Sequence, residues 1–296
     1  MRKFILSCES TVDLPYSYLE ERELPVLFYT YTVDGKEYTD DLGKDPGSLP
    51  NFYRMLDEGA LPTTSQINRF RYEEFFDELL QKGDVIHITL SSGITGSYAN
   101  AAAAAEELKV KYPYRKITVI DSLGACSGYG MLTDIAADMR DEGRSFEETE
   151  KWILDNRLHL HYQFYSTTMD YFKRSGRVSG PAAAIATILK IFPLMRFNDE
   201  GRIIAYEKVR GIKNVIRKTA EAMETHADGG KDYSGRCWIA HSNCMDAAEE
   251  LRDMVVKAFH NLKRNDIKIF DIGTIITSHT GPGTLALFFF GDERTK

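Results

Sequence analysis

The sequence predicts an α/β protein in two domains, and three observations carry that prediction. Compact apolar runs rich in β-branched residues alternate with segments of helical spacing through the first half. The ends of those runs carry small polar residues and few charges. A length of 296 residues also exceeds what one hydrophobic core usually supports.

Taken in order, Lys3 to Cys8 is an apolar run closed by polar residues, as a buried first strand would be. Leu24 to Thr32 predicts a second strand, and Asp34-Gly35 supplies turn chemistry before Glu37-Tyr38-Thr39. Helical spacing covers 47–58 and 69–81. Asp84 to Ser91 predicts the strongest strand of this half, followed by the turn Ser92 to Ser97 and an Ala-rich helix over 98–110. Lys116 to Asp121 repeats strand then turn, with helices over 125–141 and 146–157. Such alternation implies a mainly parallel sheet flanked by helices, with ligands collecting at the carboxyl ends of its strands. Those ends carry Glu9-Ser10-Thr11, Ser91 to Ser97 and Asp121-Ser122.

The second half reads as a mixed α+β domain, with the boundary placed between 160 and 161. His161 to Thr168 is strand-like, and 191–197 with 202–209 flank Asn198-Asp199-Glu200-Gly201 as a hairpin. Helices over 212–227 and 245–263 bracket a strand over 236–241. A loop over Thr277 to Gly283 leads into a final strand, Thr284 to Phe290.

Composition narrows the function. Hydrophobic residues at 43% and charged residues at 27% suit a packed protein, so no long disordered stretch is expected. A net charge of -7 argues against broad contact with nucleic acid and limits membrane contact to a transient one. Cys8, Cys126, Cys237 and Cys244 form no CxxC pair, and no signal peptide or 18-residue apolar span is evident, so a cytoplasmic protein with reduced thiols is expected. His159-x-His161 lacks a partner cluster, so no metal site is expected, nor any cofactor. Walker, GxGxxG and GxSxG motifs are all absent.

Two hydroxyl-rich turns remain as candidate sites. In the 91–97 turn, Gly93 and Gly96 would let a ligand approach the backbone, and Ser91, Ser92, Thr95 and Ser97 offer hydroxyls beside a helix start. That suits an anionic head group; simple helix capping suits the same residues equally well. Pro62-Thr63-Thr64-Ser65-Gln66 is the second such turn. His279, between hydroxyl residues and ahead of Gly281-Pro282-Gly283, is a candidate donor to an oxyanion. Read as an enzyme, the same residues suggest a hydrolase or transferase with Ser92 or Ser97 as nucleophile and His279 as base. A binding module for another small anion is the third reading.

Several segments together resemble the DegV family of bacterial fatty-acid-binding proteins. They are Glu9-Ser10-Thr11-Val12-Asp13-Leu14, Thr64-Ser65-Gln66, Leu90 to Tyr98, Ser175-Gly176-Arg177-Val178, Lys208-Val209-Arg210 and His279 to Gly283, in the family's order. The resemblance implies a DegV-like pair of domains, 1–160 and 161–296, the second carrying a lipid tunnel. It implies a long-chain fatty acid as ligand and a separate fatty-acid kinase catalytic subunit that makes an acyl phosphate from it. Carried over by motif, Thr64, Thr95, His279 and Arg210 hold the carboxylate, with Ser92 as a supporting donor, and Arg177 contacts the partner. On this reading the chain is a carrier and not itself a catalyst. Glu9 departs from the family's usual Asp, Thr95 from Ser, and Ile67 from Pro.

Overall fold

A computed structural model describes residues 4–179 and 190–296. Lys3, expected to open the first strand, lies outside them. The elements run β1 (Ile5–Glu9), α1 (Tyr16–Glu21), β2 (Val26–Leu27), β3 (Thr30–Val33), β4 (Lys36–Thr39), α2 (Ser48–Asp57), β5 (Thr63–Ser65), α3 (Arg69–Leu80), β6 (Val85–Thr89), α4 (Ser97–Lys111), β7 (Ile117–Asp121), α5 (Cys126–Asp141) and α6 (Phe146–Asn156). There follow β8 (Leu160–Ser166), α7 (Asp170–Ser175), β9 (Val178–Ser179), β10 (Ile191–Phe197), β11 (Ile203–Arg210), α8 (Ile212–His226), β12 (Cys237–His241), α9 (Met245–Ala258), β13 (Ile267–Asp271), α10 (Thr274–Thr280) and β14 (Thr284–Phe290).

Among the described residues, β2-β1-β6-β7 form a parallel sheet. Every residue of β6 is buried, as expected for a strand covered on both faces. A seven-stranded mixed sheet, β13-β12-β14-β8-β10-β11-β9, is built around the wholly buried β8. The α/β reading therefore holds, with a parallel sheet in the first half and a mixed one in the second. Between them lies α5, buried along most of its length. Gly124 and Gly128 admit this approach: a Cβ at either position would collide with the Tyr162 ring of β8.

Three local expectations change. The run Leu24 to Thr32 is two strands: β2 joins the parallel sheet, while β3 turns through Asp34 (φ 49°) and Gly35 (φ 80°) into a separate three-stranded sheet, β4-β3-β5. The turn at 62–66 contributes β5, which places Thr64 opposite Tyr31. His279 belongs to the helix α10 and not to a loop. Asp40 accepts the Thr274 amide and hydroxyl at 3.2 and 2.7 Å, which satisfies the start of that helix from across the chain.

Candidate functional site

At the carboxyl end of the parallel sheet the chain encloses a cavity of about 250 Å³. Its wall is largely apolar, drawn from both halves: Leu90 and Ala125 from the first, Phe164, Phe197, Ile275 and Phe288 from the second. The cavity is thus not confined to 161–296, because α10 and the mixed sheet close over the open strand ends of the first half. One end is polar, where Thr64, Gln66, Thr95, Arg177, His279 and Thr280 converge.

Thr64 and His279 make the central contact, with Thr64 Oγ1 2.7 Å from His279 Nε2. His279 Nδ1 and Thr280 Oγ1 are buried without a partner among the described residues. Burial first, then the nearby Arg177 and Arg174 charges, push the His279 imidazole down to about 4. At neutral pH the ring is therefore neutral and carries one N–H. If that proton sits on Nε2, it donates to Thr64 and leaves the threonine hydroxyl proton for a ligand. If it sits on Nδ1, the ring itself donates. In the first case an anionic oxygen entering this end meets the Thr64 hydroxyl as donor; in the second the remaining donor is Nδ1–H, which is enclosed in the present packing.

Thr95 is held differently. Its Oγ1 accepts the Ser97 amide at 3.3 Å and lies 3.2 Å from Ser97 Oγ. Ser97 Oγ in turn lies 2.7 Å from the Tyr29 hydroxyl, which sits 3.3 Å from Glu9 Oε2. Glu9 is fully buried and also accepts from the Leu90 amide at 2.9 Å and from the Tyr72 hydroxyl. A chain of polar contacts thus runs from the cavity wall to a carboxylate in the core. The Ile67 amide, where a proline would have none, donates to Ser97 Oγ at 3.3 Å.

The expected glycine roles change. A Cβ at Gly93 would strike the Gly201 carbonyl, so this glycine admits the β10–β11 turn and not a ligand; Ser91 Oγ seals the contact by donating to Gly201 O at 2.7 Å. Gly96 admits the Gln66 side-chain oxygen. Two predicted head-group residues lie elsewhere. Ser92 is exposed, outside the cavity wall, and its amide donates to Asp121 Oδ1 at 3.1 Å. Arg210 is also exposed: Ile203 lines the cavity at the start of β11, and Arg210 ends that strand seven residues on, roughly 23 Å away at strand rise. Arg177, carried over as a partner contact, stands exposed at the polar rim and lines the cavity. Tyr29, Gln66 and Thr280 also line the site; Gln66 has a sequence signal in the hydroxyl-rich turn and Thr280 in the segment after His279, whereas Tyr29 has none.

Among the described residues, no Ser–His–acid arrangement is formed around His279. His279 faces a threonine, its Nδ1 has no acidic partner, and Ser97 is occupied by Tyr29 and Thr95.

A family model described as an uncharacterised protein of the DegV family matches residues 3–292. The chain belongs to the DegV family. A DegV domain-containing protein of Clostridium perfringens is 36% identical over 296 residues, 99% of each chain. Among solved structures, this DegV protein is similar to one from Thermus thermophilus described as a fatty-acid-binding DegV family protein (27% identity, TM-score 0.84). That match covers 99% of this chain and 100% of the other. A fatty-acid-binding DegV family protein from Streptococcus agalactiae superposes equally well, at 25% identity and TM-score 0.84, with the same coverage. Among the described residues of this DegV chain, no helix is long and apolar enough to cross a membrane.

Proposed function

We propose that this DegV protein carries one long-chain fatty acid, tail in the apolar part of the cavity and carboxylate at Thr64, Thr95 and His279. The observation that carries this reading is a largely apolar cavity wall that also carries the hydroxyls of Thr64 and Thr95, a neutral histidine and Arg177. Each buried methylene contributes roughly 0.8 kcal/mol, so about fourteen contribute on the order of 11 kcal/mol before association costs. The tail sets affinity. The polar end sets direction, since hydroxyl and imidazole donors satisfy a carboxylate without a dedicated counter-ion.

The polar end also suits delivery. Ser65, Gln66 and Arg177 are exposed there, so the carboxylate sits at the rim and not at a blind end. On our reading the protein is a carrier that presents this carboxylate to a separate kinase subunit, which phosphorylates it, with Arg177 at the contact. The division into 1–160 and 161–296 belongs to the same proposal, the cavity lying between the two sheets. Solvent extraction of the purified protein followed by mass spectrometry tests it. One fatty acid per chain, native or after lipid loading, is expected; a protein that stays lipid-free after incubation would contradict the proposal.

A further inference from the structure

Away from the cavity, three metal-ligand side chains converge that lie far apart in sequence. His161 is at the start of β8, His226 ends α8, and Asp292 follows β14. Asp292 Oδ1 lies 3.0 Å from His161 Nε2 and 3.0 Å from His226 Nδ1. The three ligand atoms fall within 4.8 Å of one another, and the two imidazoles stack with centroids 4.9 Å apart. Around a tetrahedral ion with metal–ligand bonds of about 2.0 Å, ligand atoms stand about 3.3 Å apart. The two contacts to Asp292 are close to that before any ion enters.

The backbone holds this arrangement in place. A Cβ at Gly291 would collide with the His226 carbonyl, so glycine is what lets the segment after β14 run against both histidines. The Asp292 amide donates to His226 O at 3.1 Å, and the Gly291 amide to His159 O at 2.8 Å. His161 is buried, while His226 is half-buried and Asp292 exposed, which leaves an entry path from solvent.

We propose that His161, His226 and Asp292 form a binding site for a first-row transition-metal dication of the Zn²⁺ class. Two imidazoles and one carboxylate are the donor set of such ions, and three protein ligands leave a fourth position for water. Binding exchanges the present 2.8 Å contact, in which His161 Nε2–H donates to the Asp292 carbonyl, for a bond from the Nε2 lone pair to the ion, the ring proton passing through solvent to Nδ1. The ion would fasten the carboxy-terminal segment. Two residues beyond Asp292, the buried Arg294 donates to Asn198 O at 3.1 Å and to Leu123 O and Arg157 O at 3.0 Å each. Those contacts join the β10–β11 turn to the first half, so a metal at Asp292 anchors the clasp that holds the cavity wall.

The test is titration of chelator-treated full-length protein with Zn²⁺ and with Co²⁺. We expect one equivalent bound, a four-coordinate Co²⁺ visible spectrum without a thiolate charge-transfer band, and a Zn²⁺-dependent rise in Tm. Changes outside the ligand shell already cost about 10–100-fold in metal affinity, so His226→Ala and Asp292→Asn should each cost at least that. Both positions reach the surface, and the metal-free circular dichroism spectra should match the parent. Cys244→Ser should bind like the parent. Absence of stoichiometric binding, a thiolate band, or unchanged affinity in His226→Ala and Asp292→Asn would overturn the assignment.

Discussion

Thr64 and Thr95 stand at the same end of one cavity but are held by opposite means. Thr64 lies on β5 and bonds to His279, 215 residues away on α10, so its geometry depends on two distant segments keeping their places. Thr95 is fixed from within the first half, by the start of its own helix and by the Ser97–Tyr29–Glu9 contacts behind it. The difference separates a head-group contact that can loosen when α10 moves from one that can fail only if the core is disturbed.

Breaking the rigid side should have the largest effect. Glu9→Gln keeps the shape but aims an amide at groups that now donate to a carboxylate. It should cost about 2–4 kcal/mol in urea unfolding, with a matching loss of acid binding. The His279 side is tested by pH. Its folded value of about 4 lies below the usual 6.5 of an unfolded chain. Below pH 6.5 the unfolded state takes up the proton first, so stability is full above 6.5, falls as pH drops toward 4 and levels off beneath. The contribution approaches roughly 3 kcal/mol. His279→Gln should remove that part of the slope between pH 6.5 and 4 in ligand-free protein; an identical slope would show that the imidazole is solvated.

Smaller effects separate the two threonines themselves. Thr64→Ala should weaken fatty-acid binding by about tenfold and cost about 1–2 kcal/mol in the free protein, because the buried His279 Nε2 loses its partner. Thr95→Ala should weaken binding similarly and also cost about 1 kcal/mol of stability, because the Ser97 amide loses its acceptor. Smallest of all, Ser92→Ala and Arg210→Ala should change stability by no more than about 0.5 kcal/mol and leave affinity intact, since both side chains are exposed off the cavity.

What sequence could and could not show follows the same division. The parallel sheet is legible because β6 and β7 are short, rich in β-branched apolar residues and closed by polar residues at the carboxyl ends. Helix α10 was not. Its sequence, Thr-Ile-Ile-Thr-Ser-His-Thr, is rich in β-branched and hydroxyl residues with weak helix propensity, and its first amide is satisfied by Asp40 from 234 residues away. His279 therefore reads as a loop residue from sequence, whereas it lies on a helix against the cavity. Gly93 showed that something approaches the backbone, but local sequence does not distinguish a ligand from the hairpin tip that does so. Arg210 and Ser92 came with family motifs, yet strand length and exposure place them away from the cavity. His161 was set aside for want of partners, because His226 and Asp292 meet it only once α8 and β14 have packed.

The central claim is that the apolar depth holds a tail while Thr64, Thr95 and His279 read a carboxylate. Its most direct test is to measure affinities of fatty acids and the matching fatty alcohols, over several chain lengths, in the parent and in Thr64→Ala/Thr95→Ala. The parent should prefer the acid, and the double variant should show a clearly smaller preference, the remainder coming from His279 and Arg177, while its affinity still rises with chain length. An undiminished preference for the acid in the double variant, or affinity that ignores chain length in the parent, would contradict the account.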